Sequence, residues 1–152
     1  MRSSAEYCAV VWHDNLTQAP SKSIERLQIV AIKIILGNDC PRKEDGHVDY
    51  KAALILCKLD SLFLRRSNRM LNFGKTCIKH PTLNKLFPIN PAINEDPHYV
   101  RIREPFEVNH ARTSAYKNSA IPAIQRRLNQ FYSYSPLLHN LHSEIVNLYC
   151  IL

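Results

Sequence analysis

Ser23-Ile24-Glu25-Arg26-Leu27-Gln28-Ile29-Val30-Ala31-Ile32-Lys33-Ile34-Ile35-Leu36-Gly37 reads as one long helix. Ile24, Leu27, Ala31, Ile34 and Ile35 recur at the spacing of a single helical face. Val30 and Ile32 widen the apolar zone, so this helix is expected to be buried on two sides. Ser21 or Ser23 is the expected cap, because a serine oxygen accepts from free first-turn amides. Glu25 in the first turn suits the positive end of the helix dipole. Gly37 is expected to stop the helix, since glycine tolerates a left-handed backbone.

Upstream, residues 4–12 form a short apolar element whose period does not separate helix from strand, and residues 14–20 form a turn. Downstream, residues 38–48 are a polar loop containing Pro41 and Gly46. Asp49 is expected to cap a short helix through about Cys57, with Ala53, Leu54 and Cys57 as its inner face. Asp60 or Ser61 is expected to cap a longer one through about Lys79, ended by Pro81. Residues 82–87 allow one further short helix. Residues 88–120 are expected to be irregular, with a short strand at Tyr99-Val100-Arg101-Ile102. Pro122 then opens a helix with Ser119 as cap, ending near Asn129, and residues 135–152 read as a final amphipathic helix. The expected architecture is therefore mainly α. It is a small helical domain with a long Pro-rich irregular segment and at most a short strand pair. It divides into residues 1–87, 88–120 and 121–152.

Composition narrows the function. The chain has 152 residues, 45% of them hydrophobic, which suits one globular domain. No apolar run approaches the length of a membrane span, and no signal peptide is expected at the start. The cysteines at 8, 40, 57, 77 and 150 are too scattered for a zinc knuckle. They are expected to be reduced thiols of an intracellular protein, nuclear or cytoplasmic. No cofactor is expected.

The net charge of +7 is unevenly placed. Residues 1–50 carry −1, residues 51–103 carry +7 and residues 104–152 carry +1. A local basic excess is the electrostatic footprint of a polyanion partner, or else a solvated helix face. Arg65, Arg66 and Arg69 fall within about one helical turn. Arginine forks match phosphate oxygens, so these three, with Lys58, Lys75 and Lys79, are the candidate nucleic-acid contacts. Lys85 extends the zone, and Asp60 is the only acid between residues 58 and 85. The alternative has Arg65 or Arg66 pairing with Glu25 or Glu44.

Other constellations carry less. No aspartates are paired for two-metal phosphoryl chemistry. His139 and His142 are three apart on the expected last helix, without a carboxylate between them. Cys8 beside Trp12 and His13 is expected to be a buried apolar thiol. Trp12 is either a base-stacking platform or a core anchor against the long helix, and the second is preferred.

Four blocks, in order, carry a family resemblance: residues 6–12 (Glu6 to Trp12), 24–37, 50–66 and 113–129. In the third, Tyr50-Lys51-Ala52-Ala53-Leu54 is followed by Leu59-Asp60-Ser61-Leu62 and then Arg65-Arg66. In the fourth, Thr113, Tyr116 and Asn118-Ser119 precede the Pro122 helix and Leu128-Asn129. Together they resemble the C-terminal, post-palm and thumb-proximal region of reverse transcriptases from jockey-like non-LTR retrotransposons, the RNA-directed DNA polymerases of mobile elements. The resemblance implies a helical region that contacts an RNA or DNA backbone and accompanies a polymerase core. The family's endonuclease, fingers and palm, with the Tyr-Ala-Asp-Asp type motif, have no counterpart here. No catalysis by this chain alone is therefore expected, and Met1 is expected to be an internal or gene-model start. The alternatives are an inactive structural relic, or a helical module that binds a protein through its C-terminal amphipathic helix.

Overall fold

A computed structural model describes residues 6–90 and 104–133. The protein is mainly α-helical, with α1 at Ala9–Trp12, α2 at Gln18–Leu36, α3 at Tyr50–Cys57, α4 at Leu62–Lys79, α5 at Ser114–Lys117 and α6 at Ala120–Ser133. Short 3-10 turns occupy His13–Asn15, Gly37–Asp39 and Leu83–Leu86. Among the described residues, extended pairing is limited to the isolated bridges Arg42–Val48 and Ile89–Phe106. The strand expected at residues 99–102 and the helix expected at 135–152 lie outside the described residues. The chain divides into two compact units, Met1–Arg69 and Met70–Leu152. The division falls inside α4.

In the first unit, α2 begins earlier than its serines suggest. Gln18 is its first residue, and Pro20 sits in the first turn, where a missing amide hydrogen costs nothing. Thr17 precedes it without a side-chain cap. Gly37 closes the helix at a φ of +54°, a value that favours glycine. Asp49 caps α3 as expected, its Oδ1 accepting from the amides of Lys51 (3.1 Å) and Ala52 (3.3 Å). Ala53 is fully buried, and Leu54 and Cys57 are half-buried.

The expectation that α2 is buried on two sides is corrected. Only Gln28 and Ile32 are buried on it, while Leu27, Val30, Ile34 and Ile35 are exposed. The inward side was chosen by its polar groups, because Glu25 and Gln28 serve the start of α4. An apolar period alone cannot separate two oily faces of one helix.

In the second unit, the latter part of α4 and α6 supply most of the core, with Met70, Cys77, Ile78, Ile124 and Leu128 buried beside Phe87 and Phe106. Gly74 permits the close approach. A Cβ placed there would stand 2.5 Å from Ile124 Cγ2 and 3.2 Å from Leu128 Cδ1. Gly74→Ala is therefore expected to destabilise the protein by about 1–2 kcal/mol, overlap outweighing the gain in helix propensity. Urea denaturation checks this; a stabilised variant would show that Ile124 yields without cost.

α6 opens with Pro122 in its first turn and runs on to Ser133, past the expected end at Asn129. Ser119 stands directly before it, its carbonyl accepting from the Ala123 amide at 3.1 Å while its hydroxyl donates to the Tyr116 carbonyl at 2.7 Å. α5 was not expected, and Thr113 caps it by accepting from the Tyr116 amide. Two buried amides on α6 organise the irregular chain beside it. Asn129 accepts from the Phe106 amide at 2.8 Å and donates to the Phe106 carbonyl at 2.9 Å. Gln125 accepts from the Asn109 amide at 3.2 Å and donates to the Leu86 carbonyl at 3.0 Å. They satisfy backbone groups that no sheet satisfies here.

Candidate nucleic-acid interface

α4 carries Arg65, Arg66, Arg69, Lys75 and Lys79 and no acidic residue. Its first amides are capped from another helix as well as locally. Ser61 Oγ accepts from the Leu64 amide at 3.2 Å. Gln28 Oε1 accepts from the Leu62 amide at 3.1 Å, and the Glu25 carboxylate accepts from the amides of Leu62 and Phe63. Glu25 thus compensates the dipole of α4, where its position had suggested the dipole of its own helix. The Tyr50 hydroxyl donates to the same carboxylate, and the structure also pairs it with Gln28 Oε1 at 2.7 Å. Burial, and then the bond to Glu25, push the Tyr50 pKa above its usual value.

The arginines do not share one exposed surface. Arg66 is fully buried. Its Nε donates to His13 Nδ1 and its Nη2 to Ser21 Oγ, both at 3.4 Å. Nη2 also lies 3.8 Å from Glu25 Oε1, and the guanidinium sits 5.7 Å from the centroid of the Trp12 ring. Burial pulls its pKa down, and the Glu25 carboxylate works against that shift. Arg66 is therefore removed from the candidate surface. The pairing with Glu25, open from sequence, is the one observed.

Arg65 and Arg69 remain partly exposed, with 41% and 35% of their side chains accessible. Both reach Glu6 Oε2, at 3.1 and 3.0 Å, and that carboxylate is fully buried. Arg69 Nη1 also donates to the Glu6 carbonyl at 3.4 Å. Two cations share one anion, so this trio keeps a net positive charge toward solvent. Nothing in the sequence near Glu6 marks it as their partner.

The lysines divide as well. Lys58 is exposed at the left-handed end of α3, with φ of +52°. In the second unit, Lys79 and Lys85 are exposed. Lys75 is half-buried, its Nζ 3.5 Å from the centroid of the Phe131 ring, a cation–π contact that holds the ammonium in place.

Trp12 is half-buried beneath Arg66, and its indole nitrogen donates to the Tyr7 carbonyl at 2.7 Å. It is not one of the buried core residues. Cys8 is exposed and takes a left-handed φ of +49°, which corrects the expectation of a buried thiol. The described cysteines 8, 40, 57 and 77 are all free thiols, and burial raises the pKa of Cys77. Among the described residues, no three His, Cys, Asp or Glu side chains converge as a metal site would require. No helix among them is long and apolar enough to cross a membrane.

No protein-family model matches this chain, and no curated protein or solved structure does either.

Proposed function

We propose that this chain is the C-terminal, post-palm region of a non-LTR retrotransposon reverse transcriptase, non-catalytic by itself, that binds the backbone of RNA or DNA through a basic helix. The observation that carries the binding is α4, five basic residues with no acid, of which all but Arg66 reach solvent. Such a surface gains affinity by releasing counterions condensed on the polyanion. The four ordered sequence blocks support the origin, and a mainly helical fold agrees with it. The polymerase core of the parent element would be the covalent or docked partner, and the active site would belong to that core.

Because Arg66 is internal and Arg65 and Arg69 neutralise a buried carboxylate, exposed lysines are the clean probes. Lys58→Gln and Lys79→Gln are each expected to lower the salt dependence of single-stranded RNA binding. The slope of log K against log salt should fall by about 0.7 per lost phosphate contact. Fluorescence anisotropy over a KCl series measures this. Unchanged slopes in both variants would remove these lysines from the interface and leave the basic excess as a solvated surface.

A further inference from the structure

The first unit leaves one long side of α2 uncovered. Leu27, Val30, Ile34 and Ile35 are 61%, 52%, 77% and 73% exposed. Leu27, Val30 and Ile34 follow at i, i+3 and i+7, which is the seam of a helix that packs against another helix. With about 100° of rotation per residue, Lys22, Arg26 and Lys33 form one column along the Val30 flank of that seam. All three are exposed. The single acid of α2, Glu25, is turned away to cap α4. Every exposed charge on this helix is therefore positive.

We infer that this face docks an amphipathic helix of a partner protein, one carrying aliphatic residues at the matching spacing and carboxylates along the flank that meets Lys22, Arg26 and Lys33. A second copy of the chain is a poorer occupant, because α2 brings no exposed carboxylate to such a pair. A lipid surface is also poorer. The stripe has no aromatic anchor, and the side of α2 opposite it is packed into the unit, so only one flank can reach headgroups. The β-branched side chains of Val30, Ile34 and Ile35 are stiff and offer fixed ridges to a facing helix. None of these α2 residues is among the lysines tested for RNA binding, so either conclusion can fail alone.

The test uses the full chain and two labelled designed peptides of about 20 residues, long enough for several helical turns. Both have Leu and Ile at the seam positions; one has Glu on its flanks and its twin has Lys. The acidic peptide should bind saturably, with Kd on the order of micromolar, and the Lys twin at least about tenfold more weakly. Ile34→Gln should weaken the acidic peptide at least about tenfold without moving the circular-dichroism melt, since the side chain is exposed. Val30→Gln serves as the second apolar variant. The triple change Lys22→Gln, Arg26→Gln, Lys33→Gln should cost about tenfold, three exposed ion pairs being lost. Lys58→Gln should leave peptide binding unchanged. Equal binding of the two peptides would overturn the proposal. So would a dimer that dissociates on Ile34→Gln, or Ile34-dependent binding to phosphatidylserine vesicles with no peptide binding.

Discussion

Glu25→Ala is expected to lower stability by about 3–5 kcal/mol, the largest effect of any single substitution in the first unit. Three losses coincide. The amides of Leu62 and Phe63 lose an acceptor at the positive end of α4. Tyr50 loses one partner for its hydroxyl. Arg66 keeps its burial and its contacts with His13 and Ser21 but loses the carboxylate 3.8 Å from its Nη2. A buried cation stripped of its nearest carboxylate is the costliest of the three. Urea unfolding followed by circular dichroism measures the loss, and amide exchange at Leu62 and Phe63 locates it. Adding Arg66→Met should recover part of it, because the double variant no longer buries a cation that has lost its nearest carboxylate. If Glu25→Ala falls within about 1 kcal/mol of the parent, below the cost of an orphaned buried group, the network is not what joins α2 to α4.

Asn129→Ala is expected to cost about 3 kcal/mol, since it orphans both the buried amide and the buried carbonyl of Phe106. The Asn129 amide also donates to Glu104 Oε2 at 3.1 Å, so the irregular segment loses a third tie. Asn129→Asp tests the polarity of the arrangement. It keeps an acceptor for the Phe106 amide, loses the donor to the carbonyl, and sets a second carboxylate against Glu104. At neutral pH it should be at least as unstable as the alanine variant. Thermal unfolding of both variants checks the order, and an Asn129→Asp protein as stable as the parent would show that the Phe106 carbonyl finds another donor.

The local features were legible from the residues themselves. Asp49 capping a helix that ends at Cys57, the stop at Gly37, the end of α4 before Pro81 and the first-turn place of Pro122 all follow from one residue's own backbone preference and its nearest amides. The mainly helical architecture follows from the spacing of the apolar residues. The candidate basic site was legible only as a composition. Arg65, Arg66 and Arg69 are neighbours in sequence and carry the same charge, yet one is internal and two serve Glu6, nearly sixty residues earlier along the chain by the span of the Arg65 bond.

The sequence by itself determined the bounds of α3 and α4, the stop of α2 and the start of α6, and that the positive charge gathers in the middle of the chain. These depend on interactions a few residues apart. Only the tertiary structure decided which side of α2 faces inward, which arginine is buried, and that Glu25, Gln28, Gln125 and Asn129 serve distant backbone. Those four side chains supply acceptors or donors that the backbone they meet would otherwise lack. An apolar or charged pattern in one helix does not encode the positions of the donors and acceptors it will meet.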